Sequence, residues 1–130
     1  MVPLVIKVIA ILDDEPTMRR ALRRLLTNHG FRIEEYERGE ELIAALESNS
    51  LDCLLLDLHM PGLNGFDVLE SWRSRRSAVP VIVITAHDDP GMAERVLALG
   101  ASAYLKKPVE KQALLAAIEA ANGGTRDVKT

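Results

Sequence analysis

The sequence predicts a doubly wound α/β domain, a five-stranded parallel sheet with five helices laid against its two faces. Three observations carry this. Short apolar runs recur at residues 5–12, 52–57 and 81–85, with the near-continuous hydrophobicity of strands buried on both sides. Between them lie stretches whose apolar residues repeat at helical spacing. Glycines and prolines fall at the junctions, where caps and turns need them. Alternating strands and helices demand right-handed crossovers, and therefore a parallel sheet covered above and below.

In chain order, VIKVIAIL at residues 5–12 is the first strand, closed by Asp13-Asp14-Glu15. Pro16 suits the first turn of a helix whose apolar face is Met18, Ala21, Leu22, Leu25 and Leu26. Arg19, Arg20, Arg23 and Arg24 fall mostly off that face, and Gly30 stops the helix. Phe31 and Ile33 alternate with Arg32 and Glu34, the pattern of a half-buried or edge strand. A short helix at 40–47 rests on Leu42, Ile43 and Leu46 and breaks at Ser48-Asn49-Ser50.

The strand at 52–57 ends on Asp57, and Pro61-Gly62 turns the chain. Asn64 is a candidate cap for a helix with Asp67 in its first turn and Phe66, Leu69 and Trp72 facing inward. After the strand at 81–85, Asp88 or Asp89 is expected to cap a helix with Pro90 in its first turn. Met92, Val96 and Leu97 would anchor that helix, and Gly100 would end it. A fifth strand at 102–105 leads to Lys106-Lys107-Pro108, and a helix at 110–121 packs through Leu114, Leu115 and Ile118. The domain is expected to span residues 1–122, with 123–130, opened by Gly123-Gly124, as a polar tail or the start of a linker.

Composition narrows the function classes. The 130 residues suffice for one domain with a proper core. A net charge of −3 argues against a dedicated nucleic-acid surface. The single Cys53, among apolar neighbours, excludes an internal disulfide and reads as a core residue. No run reaches the ~20 residues needed to span a bilayer, and the N-terminus lacks a signal-peptide pattern. A cytoplasmic protein is the expectation.

Topology then gathers the polar strand ends. Asp13, Asp14 and Glu15 follow the first strand, Asp57 ends the third, Thr85 the fourth, and Lys107 follows the fifth. In a doubly wound sheet these ends share one edge, where ligand sites form. Neighbouring carboxylates repel unless a cation shares their charge, and hard oxygen donors suit Mg²⁺. A lysine and a hydroxyl opposite them can receive phosphoryl oxygens. Asp57 is then a plausible nucleophile, forming an aspartyl phosphate.

With Met60-Pro61 and Gly65 between them, Asp13-Asp14, Asp57, Thr85-Ala86 and Lys107-Pro108 closely resemble the receiver domain of bacterial two-component response regulators. The resemblance runs from residue 5 to about residue 121. Each motif is weak alone; all of them in order at strand ends are specific. It implies a flavodoxin-like sheet of order 2-1-3-4-5. It makes Asp57 the phosphoacceptor, Asp14 a direct Mg²⁺ ligand, Asp13 a ligand through water, and the backbone carbonyl of His59 a further ligand. Thr85 would turn toward the phosphoryl group and Lys107 would pair with it across a cis Lys107–Pro108 bond. Tyr104 would rotate with Thr85 in the switch. Lys106, one residue earlier on the strand, should face away.

The resemblance further implies a sensor histidine kinase or histidine phosphotransfer protein as phosphodonor, and a homodimer through the face of the fourth helix, fifth strand and fifth helix. The output is expected to be transcriptional, through an effector domain or a partner, the nearest resemblance being to receivers paired with helix-turn-helix transcription factors; a stand-alone receiver is the alternative. The four arginines of the first helix read as a solvated face, with kinase docking as the functional alternative. His59 and His87, two residues beyond Asp57 and Thr85, read either as solvent-facing loop residues or as groups that tune access of water to the phosphoryl site; a Mg²⁺ site argues against their imidazoles ligating the metal.

Two other functions compete. A haloacid-dehalogenase-like phosphatase also uses an Asp after an apolar strand, but it places a second Asp two residues on, where this chain has His59. A receiver-like binding module would carry no phosphate, and the intact acids, Thr85 and Lys107 speak against it.

Overall fold

The computed structural model describes residues 7–48, 51–60, 63–75, 79–87 and 89–121. The five main strands are β1 (Val8–Leu12), β2 (Arg32–Tyr36), β3 (Cys53–Asp57), β4 (Val81–Thr85) and β5 (Ala103–Lys106). The helices are α1 (Pro16–Asn28), α2 (Gly39–Ser48), α3 (Gly65–Ser74), α4 (Met92–Ala98) and α5 (Lys111–Ala121). All sheet pairings are parallel, in the order β2-β1-β3-β4-β5. The expected fold and strand order are both present. Beyond β3, His59–Met60 and Leu63–Asn64 form a small antiparallel ladder.

Alternation along the strands divides the core in two. Ile9 and Ile11 of β1, Cys53 and Leu55 of β3, and Ile82 and Ile84 of β4 point to one side. There they meet Leu22 and Leu26 of α1 and Leu114 and Ile118 of α5. The intervening residues Ala10, Leu12, Leu54, Leu56, Val81 and Val83 point to the other side, against Leu42, Val68, Leu69, Trp72, Met92 and Val96. The three central strands are thus apolar on both faces because both faces are covered. At the edge, β2 keeps only partial burial, as its polar alternation predicts. Cys53 is fully buried, and burial pushes its thiol up to about 12, so it remains a neutral core group.

Three expectations need correction. Arg19 is buried while Ala21 is exposed, so the inward face of α1 is not the purely apolar stripe the periodicity implies. Leu97 is 48% exposed; only Met92 and Val96 anchor α4. Asp89 does not cap α4 with its side chain: the N-cap is Gly91 in a left-handed conformation at φ 80°, and the Met92 N–H bonds to the Asp89 carbonyl at 3.0 Å. Positive φ costs glycine little, and Pro90 and Gly91 together delay the helix to Met92. The expected roles of Asp88, Pro61-Gly62 and the Gly123-Gly124 tail fall outside the described residues.

Candidate functional site

Strand order reverses between β2-β1 and β1-β3, so the crevice beside β1 and β3 opens at their carboxyl ends. The same alternation that sorts the core sorts the polar groups there. Asp57 ends β3 in phase with Cys53 and Leu55, and Asp13 follows β1 in phase with Ile9 and Ile11. Lys107 continues β5 in phase with Ala103 and Leu105. All three belong to the α1–α5 side, and they meet. Lys107 Nζ lies 3.1 Å from Asp13 Oδ2, 3.4 Å from Asp57 Oδ2 and 3.5 Å from Glu15 Oε1.

Lys106 pairs in register with Thr85 on the opposite phase and is exposed. The choice of Lys107 over Lys106 as the lysine facing the acids therefore follows from strand geometry. Tyr104, also on that opposite phase, packs half-buried against the core on the α3–α4 side. The Lys107–Pro108 peptide is cis, as expected.

Asp13 and Asp57 are buried and Asp14 is exposed. One carboxylate oxygen from each of the three lies within 4.8 Å of the others, a cluster that could hold a metal ion. Three hard oxygen donors, with one acid open to solvent, fit a divalent ion that keeps some of its water, which is the behaviour of Mg²⁺. Burial and the charge of Asp13 push the Asp57 carboxyl above the ordinary carboxylate range, opposed by Lys107 and by the His59 N–H, which donates to Asp57 Oδ1 at 3.2 Å. Burial pulls the Lys107 ammonium down, but its hydrogen bond to Asp13 and the charges of Asp57 and Asp13 outweigh that and raise it.

Thr85, fully buried, is occupied locally. Its hydroxyl donates to the His87 carbonyl at 3.2 Å and accepts the His87 N–H at 3.1 Å. Reaching a group on Asp57 would require this turn to open. The His59 and His87 rings meet edge to face, centroids 4.4 Å apart. Both line a cleft of about 420 Å³ together with Asp14, Glu15, Pro16, Asp57, Ala86 and Lys107.

The sequence reading missed Arg19. Its guanidinium donates to the Asp13 carbonyl at 2.6 Å, to Glu35 at 3.3 Å and to Glu37 at 3.0 Å, while Arg23 reaches the other Glu35 oxygen at 2.6 Å. The available signal was the pair Glu35 and Glu37 at the end of β2, beside the acidic turn. A solvated arginine face needs no such partners; a buried guanidinium does.

The comparisons agree with this geometry. The profile of the response regulator receiver domain matches residues 9–119. The chain belongs to that family. Among relatives, it is 34% identical over 113 residues to the transcriptional regulatory protein FixJ of Bradyrhizobium diazoefficiens, covering 87% of this chain and 55% of FixJ. It is 36% identical over 114 residues to the DNA-binding transcriptional regulator NtrC of Salmonella typhimurium, covering 88% and 24%. A CheY-like receiver domain of Methanospirillum hungatei superposes with a TM-score of 0.86 at 25% identity, covering 95% of this chain and 99% of that one. The chain thus spans about half of one curated relative and a quarter of the other. As a receiver domain of the two-component type, it is a signalling module with transcription regulators among its relatives.

Proposed function

We propose that this receiver is a phosphorylation switch in which Asp57 accepts a phosphoryl group from a sensor histidine kinase or a histidine phosphotransfer protein. The observation that carries the reading is Lys107 Nζ, held between Asp13 and Asp57 at 3.1 and 3.4 Å. A carboxylate in that position is backed by a fixed cation and opens onto a cleft large enough for a phosphoryl donor.

Asp13, Asp14 and Asp57 would hold Mg²⁺, with the His59 carbonyl as a further ligand. The ion would supply charge neutralisation at the transferring group. An Asp57 carboxylate oxygen attacks phosphorus, forming the acyl phosphate while the donor nitrogen leaves. The new phosphoryl oxygens offer Lys107 a better partner than Asp13, and draw Thr85 away from the His87 main chain. Tyr104, on the same side of the sheet as Thr85, follows that movement toward the face formed by α4, β5 and α5. The exposed Leu97 supports this face as the output and homodimer surface. Hydrolysis of the aspartyl phosphate would be self-catalysed, with His59 and His87 at the cleft mouth setting access of the attacking water. We place the protein in the cytoplasm, with an output through transcription.

Single alanine changes at the two lysines test the switch. Lys107→Ala should abolish the phosphorylation-driven change in the α4–β5–α5 face, read by amide exchange, whereas Lys106→Ala should preserve it; the reverse would refute the assignment. An unchanged rate of phosphate loss in a His59→Asn, His87→Ala double variant would remove the histidines from the account.

A further inference from the structure

The mouth of the Asp57 cleft carries two imidazoles that a pure Mg²⁺ and phosphoryl site does not need. His59 and His87 come from different loops, yet their rings lie 4.4 Å apart at an interplanar angle of 79°. Both side chains are exposed, and both border the cleft that Asp14, Glu15 and Asp57 line. Their backbones are pinned: the His59 N–H to Asp57 Oδ1 at 3.2 Å, and His87 to the Thr85 hydroxyl through both its N–H and its carbonyl.

Two imidazoles bound side by side to one ion, at metal–nitrogen distances of about 2.0–2.1 Å, place their ring centres roughly 4.5–5 Å apart. The observed separation is close to that; the three donors already within reach of one another are Asp13, Asp14 and Asp57, so a carboxylate must swing toward the imidazoles to complete the set. Mg²⁺ prefers oxygen and sheds water reluctantly, whereas imidazole suits zinc, nickel and copper, the affinity for a given site rising to copper and falling at zinc. The cleft is lined by oxygen donors, of which Asp57 is buried and Asp14 and Glu15 are exposed, and by two exposed nitrogen donors.

We propose that His59 and His87, with a carboxylate from the acids lining the same cleft, form a binding site for a late first-row divalent ion of the zinc–nickel class. An ion held there sits over Asp57 and obstructs the approach of a phosphoryl donor. The site goes beyond the phosphoacceptor reading and is measured on unphosphorylated protein, so its failure leaves that reading standing.

The test is calorimetric titration of untagged protein with Ni²⁺ and, separately, with Mg²⁺. It covers wild type, His59→Asn, His87→Ala, the double variant, and His29→Ala, an exposed histidine at the end of α1. Thermal unfolding verifies that each is folded; should the double variant fail, the single His87→Ala carries the test. The ratio of Ni²⁺ to Mg²⁺ affinity should fall roughly tenfold or more in the double variant and stay at the wild-type value in His29→Ala. The visible spectrum of bound Co²⁺ should change in the double variant as nitrogen ligands are lost. An unchanged ratio in the double variant would mean the acids alone hold the ion, and an equal fall in His29→Ala would mean surface binding; either overturns the proposal.

Discussion

Asp57 is a buried acid whose environment works against its charge. Burial and Asp13 raise its pKa, and Lys107 recovers only part of the difference. The native state therefore holds a proton on Asp57 more tightly than the unfolded chain does. That stabilising contribution is present below the ordinary carboxylate pKa and is lost as pH rises through the raised native value. In metal-free protein at neutral pH, Asp57→Asn should thus stabilise the fold by about 1–2 kcal/mol. The gain should shrink as pH falls through the carboxylate range; urea titrations across pH check this, and a gain constant with pH would contradict it. Asp57, Asp13 and Lys107 were legible in the sequence because period-two alternation fixes which strand-end residues share a side. Arg19 was not, because its burial depends on Glu35 and Glu37 arriving from another strand, which helical periodicity within α1 does not register.

Two elements hold the acidic site in place. On one side, α1 reaches back through Arg19 to the Asp13 carbonyl and to the end of β2. Arg19→Ala takes one of two cations from Glu35, which keeps Arg23, removes the Arg19 bond to Glu37, and leaves the Asp13 carbonyl without that donor. It should cost roughly 2–4 kcal/mol, measured as a lower denaturation midpoint; a loss below the range of an exposed ion pair would show the contacts are dispensable. On the other side, Gly65 opens α3 directly beneath the loop after Asp57. A Cβ there would lie 2.5 Å from Leu58 Cα and 2.9 Å from the Leu58 carbonyl oxygen, which are backbone atoms that cannot swing aside. Gly65→Ala should cost about 1–3 kcal/mol and displace the segment after Asp57 that carries His59. Unfolding curves check the first effect, and amide shifts around residues 57–60 the second.

The boundaries of α1, α2 and α5 were readable to within a residue or two from apolar spacing and from Pro16 and Gly30. That of α4 was not, because its start is set by the left-handed Gly91 rather than by an aspartate cap.

For the whole molecule, strand order is the property that turns a hydrophobic pattern into a site. The reversal beside β1 and β3 places two acids at one crevice, and the position of β5 at the far edge still delivers Lys107 to them because its side chain spans the remaining distance. The alternation of apolar strands and amphipathic helices was enough to read the architecture. The contact of His87 with His59 was not readable, since loops of different strands meet only after folding, and the local turn that ties Thr85 to His87 has no signature in spacing or periodicity.

The central claim is that Asp57 takes a phosphoryl group. Incubation with a small acyl phosphate donor and Mg²⁺, followed by intact mass and peptide mapping, tests it most directly. The account predicts one phosphoryl adduct per chain, on Asp57, absent without Mg²⁺ and absent in Asp57→Asn, with phosphate released no faster than the adduct decays. No adduct under saturating donor would contradict it, as would rapid multiple-turnover phosphate release.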